Sequence, residues 1–365
     1  MKEKALEVLR ILNENDYDAF IVGGYVRDML LDRKTSDIDI ATSATPKEVL
    51  EIFDNVSVDN EKYGSVIVTY KGIKFDVTTF RKEIKYEANR KPIKIKYIKD
   101  IKKDLKRRDF TINTLCMNSN GKVIDILDVK SDLDHKILRT VGRPSRRLKE
   151  DALRILRCIR FATILDFSID AKTARYVTKY SYLLKKLSYS RKKEELDKIF
   201  SSPNKEKGCK YLIDLNLTNA LDINKLGSIT LCDDLIGIWT QLEVEDIYPF
   251  TKLEKEEMKK LRRLLEYDEI DNYLLYKYGL YLCTVYADIK GISKRKINTM
   301  YENLPITSKK DLALNGSEIA KVLSKEEGKY ISDITLDIEK NILNGNLNNA
   351  YDDIKDYLIK TYLNV

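Results

Sequence analysis

Residues 20–41 read FIVGGYVRDMLLDRKTSDIDIA. An apolar run, Phe20-Ile21-Val22, enters Gly23-Gly24, passes the charged pair Arg27-Asp28, and returns as Ser36-Asp37-Ile38-Asp39-Ile40. The layout predicts strand, glycine turn, short helix, strand. Successive side chains of a strand point to opposite faces, so Asp37 and Asp39 share one face while Ile38 and Ile40 take the other. Two carboxylates on one open face repel unless something positive lies between them. Hard oxygen ligands favour Mg²⁺, which keeps waters and substrate phosphates in its remaining positions. Gly23 and Gly24 let backbone N–H groups approach a phosphate closely, and Arg27 can fork onto one from the following helical turn. The stretch points to a triphosphate, a metal held by Asp37 and Asp39, and displacement at phosphorus.

Gly-Gly-x-Val-Arg-Asp followed by Asp-x-Asp-Ile resembles the signature of the class II nucleotidyltransferases, the family of tRNA CCA-adding enzymes and bacterial poly(A) polymerases. The resemblance implies an α+β N-terminal head with a mixed or antiparallel sheet and helices, followed by an all-α neck, body and tail. It places the catalytic head at 1–140, a helical neck with nucleotide recognition at 141–200, and a helical, tRNA-binding body and tail at 201–365. The implied activity is template-independent addition of C, C and A to the 3′ end of tRNA from CTP and ATP, with release of pyrophosphate. The alternatives are a poly(A) polymerase and an enzyme that adds only part of the CCA end. A non-enzymatic RNA-binding relative would be expected to lack one of the metal carboxylates, and all are present.

Composition sets outer bounds. The chain has 365 residues, 43% hydrophobic and 34% charged, which is room for two or three domains. No run of about 18 apolar residues exists, so no membrane span is expected. MKEKALEVLRILNEN carries Ala5, Val8, Leu9 and Leu12 as the stripe of an amphipathic helix rather than the core of a signal peptide, and the expected compartment is the cytoplasm. Five cysteines without a C-x-x-C pair argue against a disulfide framework or zinc site. His135 is the only histidine, which argues against histidine dyads and is read as a surface residue. The net charge of +8 is concentrated: residues 81–109 hold thirteen Lys or Arg against five acids. Further basic clusters stand at Arg139, Arg143, Arg146, Arg147 and Lys149, and at Arg191-Lys192-Lys193. They fit a polyanionic partner, or solvated lysine-rich faces.

Along the chain, Thr45-Pro46-Lys47-Glu48 reads as a capped helix start. Residues 65–70 (SVIVTY) and 73–80 (IKFDVTTF) read as strands joined in a hairpin at Lys71-Gly72. Asp76 in the second has two readings: a third carboxylate on the Asp37/Asp39 face, or a strand-edge acid held by a hydrogen bond. The family carries an acid here, commonly Glu, before a run like Thr78-Thr79-Phe80-Arg81. Residues 82–104 read as a basic, loosely structured loop, similar to the flexible loop that CCA-adding members need to switch from C to A.

Arg107-Arg108-Asp109-Phe110-Thr111-Ile112-Asn113 resembles a second family motif, which implies contact of Arg108 with the nucleotide's phosphates or sugar and ordering of the loop or ribose by Asp109 and Asn113. Val141-Gly142-Arg143-Pro144 is a breaker, after which Ala152, Ile155, Leu156 and Ile159 form a helical stripe. Glu150-Asp151-Ala152-Leu153-Arg154, with Arg157 and Arg160, resembles the nucleotide-recognition motif. Read as one helix, Asp151 and Arg154 lie about 60° apart and Arg160 nearly opposite. A carboxylate accepts from an exocyclic amine while a guanidinium donates to ring acceptors beside it, so cytosine and adenine fit. Uracil and guanine present a carbonyl where the acid needs a donor, at about 1–3 kcal/mol per unpaired group. The plain alternative is an i,i+3 surface ion pair.

Two departures from the family pattern stand out. Ser190 occupies a position usually held by Glu, although Arg191, Glu195 and Leu196 match; this segment is read as a brace of the neck. Residues 312–349 look like the tail of Gram-positive CCA-adding enzymes but lack a proline before Gly328. No Gly-Arg-Arg-Phe-like element of the poly(A) polymerases follows the first motif. Oligomeric state, monomer or homodimer, is left open.

Overall fold

The computed structural model describes residues 1–35, 37–60, 64–87 and 91–363; Ser36 of the opening motif lies outside them. Helix α1 (Lys2–Glu14) buries Ala5, Leu6, Val8, Leu9 and Leu12 and packs on β1 (Ala19–Val22). The chain turns at Gly23 into α2 (Gly24–Leu30) and returns as β2 (Asp39–Thr42). α3 (Pro46–Ile52) starts at a capping box, Thr45 taking the Glu48 amide while Glu48 takes the Thr45 amide. β3 (Val56–Asn60), β4 (Ser65–Tyr70) and β5 (Ile73–Thr79) follow. The β4–β5 turn has φ of 47° at Lys71 and 78° at Gly72, the two positive values that a tight hairpin connection needs.

Residues 81–105 correct the sequence reading. They form β6 (Arg81–Glu87), β7 (Lys91–Tyr97), paired antiparallel, and α4 (Ile101–Leu105), not a loose loop. The signal was the alternation Ile93-Lys94-Ile95-Lys96-Tyr97, a period of two hidden by the charge of the segment. Two short strands, β8 (Cys116–Met117) and β9 (Val123–Ile124), complete a seven-stranded sheet in the order β3-β4-β5-β2-β1-β8-β9. Only β2 and β5 run parallel; every other neighbouring pair is antiparallel, so the sheet is mixed, as expected. Val22, Ala41, Phe80 and Cys116 form one buried cluster beside its centre.

After α5 (Lys130–Asp134) and β10 (Ile137–Leu138) come α6 (Pro144–Glu150), α7 (Leu153–Ile164), β11 (Ser168–Ile169), α8 (Ala171–Lys179), α9 (Tyr189–Phe200) and α10 (Lys205–Asp214). α7 packs against both α9 and α10. The parallel bridge of β10 with β11 is the one strand pairing in this largely helical stretch among the described residues.

The chain divides into two compact units, Met1–Leu226 and Gly227–Val365. The second is helical: α11 (Leu235–Leu242), α12 (Lys252–Leu265), α13 (Asn272–Lys290), α14 (Lys294–Glu302), α15 (Gly316–Val322), α16 (Tyr330–Leu343) and α17 (Tyr351–Leu358). Part of its core gathers Ile319, Ile338, Ile342, Ile354 and Leu358. No described helix is long and apolar enough to cross a membrane. His135 is exposed, and all five cysteines are free and buried.

Candidate active site

Gly23 has φ 77° and ψ −134°, a backbone region that only glycine enters without strain. A Cβ built there would lie 3.4 Å from Arg108 Nη1 and 3.5 Å from Asp39 Oδ2. The glycine turn, the first residue of β2 and the arginine of the second motif therefore meet at one point. Asp39 is the register partner of Asp76 across the parallel β2–β5 pair, which puts both on one sheet face. Asp37 stands just before the strand, exposed, and Ile38 and Ile40 are buried, so the alternation read from the sequence holds across 37–40.

Asp39 is exposed, yet it is crowded by surrounding protein. Burial raises its carboxyl above the ordinary range, the charges of Asp76 and Asp37 add to the rise, and Arg108 opposes it. Like charges held together at the mouth of a glycine turn suit a cation, so the donor chemistry of these residues fits a divalent metal. Among the described residues, no three His, Cys, Asp or Glu are drawn together as a closed metal cage. The carboxylates would supply part of a ligand set, with water and phosphate as the rest.

Arg108 reaches this point from the C-terminal side of α4. Its Nη2 lies 3.4 Å from Asp104 Oδ2, and its buried Nε has no hydrogen-bond partner among the described residues. Asp104, only 1% exposed, also accepts from the Arg81 amide (3.1 Å) and from Arg107 Nε (2.9 Å). Burial alone would lift its carboxyl; Arg107 and Arg108 hold it below the usual value. Sequence reasoning missed Asp104, although its i,i+3 and i,i+4 spacing to the two arginines was the signal.

The other arginines are more engaged than the sequence suggested. Arg27 is buried and forks onto its neighbour Asp28 (2.9 and 2.7 Å), so its fork is not open to a phosphate. Its Nη1 donates to Asn113 Oδ1 (2.7 Å), Asn113 Nδ2 donates to Asp109 (3.2 Å), and Asp109 takes two bonds from Arg157 (2.8 and 2.6 Å). Burial works to raise the Asp109 carboxyl, but Arg157, Asn113 and the Phe110 amide bring it down to about 2. The structure therefore gives Arg27, Asn113, Asp109 and Arg157 to one internal hydrogen-bonded chain. Its hub is Phe161, absent from every motif. Its ring faces the guanidinium groups of Arg27, Arg157 and Arg160 at 5.2, 5.1 and 4.4 Å and meets Phe110 edge to face at 5.8 Å.

The recognition motif is not one helix. α6 ends at Glu150; Asp151 is extended (φ −145°, ψ 113°), and α7 starts at Leu153. The cause is local: Asp151 Oδ1 accepts the Leu153 amide (2.9 Å), the competition with helix that short acidic side chains offer. The 60° relation of Asp151 to Arg154 therefore does not apply, but the two still interact. Burial raises the Asp151 carboxyl, while the Leu153 amide and the charges of Arg154, Arg191 and Arg157 oppose it. Arg154 is buried and fixed by the carbonyls of Arg147 and Arg107, both at 3.1 Å, and by Glu150 at 3.1 Å. Arg160 pairs with Glu195 on α9 at 3.1 Å, tying two helices. Ser190 lies exposed in the first turn of α9.

Residues 19–139 match the family model described as a poly A polymerase head domain, and 244–358 match that of a tRNA nucleotidyltransferase domain 2. The CCA-adding enzyme of Anoxybacillus flavithermus is 32% identical, over 97% of this chain and 96% of its own. That of Streptococcus agalactiae is 34% identical over 99% and 97%. Among solved structures, the Bacillus stearothermophilus CCA-adding enzyme in complex with CTP matches with a TM-score of 0.82 at 28% identity, covering 98% of this chain and 96% of its own. The Thermotoga maritima CCA-adding enzyme shares the fold, with a TM-score of 0.73 at 21% identity, covering 98% and 94%.

Proposed function

The chain belongs to the family of CCA-adding enzymes, and from that membership we propose that it adds C, C and A to the 3′ end of tRNA, taking CTP and ATP and releasing pyrophosphate. It is a nucleotidyltransferase, and its family implies use of a divalent metal. The single observation that carries the reading is the meeting of Gly23, Asp39 and Arg108 beside Asp76.

The geometry supports a division of labour among these residues. Asp39 and Asp76, with Asp37 beside them, would hold Mg²⁺. When bound, that ion supplies charge neutralisation at the phosphates and acidifies the attacking 3′-hydroxyl. Gly23 and Gly24 would bring main-chain amides close to the triphosphate, and Arg108, whose Nη1 lies at the glycine turn, would steady the phosphates. Asp151 would accept an amine of the base, with Arg154 beside it, its guanidinium held on two carbonyls and Glu150. Arg27, Asn113, Asp109 and Arg157 keep the loop in place, and Arg160 braces the recognition helix through Glu195.

The test supplies the purified protein with tRNAs lacking the whole CCA end, the last CA, or only the final A, together with CTP or ATP. Completion of each end to CCA is expected. Long A tracts on unpaired RNA would mark a poly(A) polymerase, and arrest after CC or addition of A alone would mark a partial enzyme.

A further inference from the structure

A cavity of about 660 Å³ opens in the first unit, and its lining includes none of Gly23, Asp37, Asp39, Asp76, Arg108, Asp151 or Arg154. Five cations line it, Lys106, Arg143, Arg146, Arg147 and Lys149, and among the described residues no Asp or Glu does. Their engagement differs. Arg147 is drawn back onto the Val141 carbonyl (3.1 Å) and Glu150 (2.6 Å). Arg146 touches Glu150 at 2.8 Å, yet its side chain is 76% exposed. Lys149 lies over the Tyr180 ring at 5.0 Å. Lys106 and Arg143 are exposed, and their side chains have no ion-pair or hydrogen-bond partner among the described residues.

Cations gathered around one concavity repel each other, and the field they share is relieved by an anion. A volume in the range of about 300–1,000 Å³ admits a nucleotide-sized group. The nucleoside triphosphate already has its own cradle at Gly23 and Arg108. The cavity wall nevertheless adjoins the base-reading pair, because the Arg147 carbonyl accepts from Arg154. An RNA strand carries a phosphate at every residue, and an acid-free wall of five cations is suited to receive one. We propose that this cavity binds a backbone phosphate of the RNA strand being extended, with Arg143 and Lys106 as its free hands. The inference rests on the reading of the protein as a tRNA nucleotidyltransferase.

The test uses the full-length double variant Arg143→Ala/Lys106→Ala, with Arg10→Ala/Lys47→Ala, exposed residues outside the cavity, as the control of equal charge. The expected result is affinity for tRNA lacking its CCA end weakened about tenfold near 0.1 M salt, with the log–log salt slope reduced by about one per lost contact. KM for CTP and kcat at saturating tRNA should stay at the wild-type values. An affinity equal to that of the control would overturn the proposal, since long-range charge alone would then explain any loss. A rise in KM for CTP with tRNA affinity intact would overturn it too, by assigning the cavity to the nucleotide. Wild-type protein that extends no tRNA would instead sink the functional reading from which the proposal starts.

Discussion

Two residues stand at the centre of the proposed site, and each makes a separate prediction. Replacing Asp39 by Asn removes a carboxylate that burial and two neighbouring acids already disfavour in its charged form. Nucleotide addition should be lost while the melting temperature is unchanged or raised; turnover that survives would remove Asp39 from the metal site. Gly23→Ala forces a side chain into a strained backbone region, at roughly 1–3 kcal/mol, and sets a methyl group in contact with Arg108 and Asp39. A fall in kcat/KM of about tenfold or more is expected, as misplacement near reacting atoms costs that much or more. That these positions meet was legible in residue type and spacing: glycine pair, period-two aspartates. Arg27 was not, because nothing in a local pattern says whether a guanidinium is free or already held by Asp28, the next residue along. Phe161 was invisible for a related reason, since its role depends on three arginines that only the fold brings to one ring.

Between elements, buried charge does the fastening. Asp109 has a carboxyl at about 2 against the ordinary 3.8, so it is depressed in the folded state. Its contribution, roughly 2 kcal/mol, is present above about pH 4 and disappears as pH falls from there through about 2. Asp109→Asn should remove that acid-dependent part of an unfolding curve and cost ~2–3 kcal/mol, by leaving Arg157 without its acid. A curve with unchanged slope between pH 2 and 4 would refute the assignment. The Arg160–Glu195 pair ties α7 to α9, with Glu195 buried and Arg160 partly so. Glu195→Gln alone should cost about 3 kcal/mol in denaturant titration, while Arg160→Met with Glu195→Leu should recover most of it. The strand–turn–helix–strand unit, the β4–β5 hairpin and the capped α3 were all readable from periodicity and turn chemistry. The β6–β7 hairpin and the break at Asp151 were not. In the first, dense charge masked an alternation; in the second, the apolar stripe from Ala152 to Ile159 continued smoothly past the residue whose side chain ends the helix.

At the scale of the whole chain, the +8 charge is carried by one segment and echoed in two clusters. RNA affinity should therefore fall steeply with added salt, while KM for CTP, set by a compact site, should change far less. Parallel salt dependence of the two would argue against extended backbone contacts. The feature with the longest reach is the interruption between α6 and α7. Asp151 is held by one amide and its own dihedral angles, whereas Arg154 is anchored on two carbonyls and Glu150. On the proposed reading of the base, the acceptor sits at a break between two helices while the neighbouring donor is anchored, so the spacing of the two is set by the few main-chain residues that join α6 to α7.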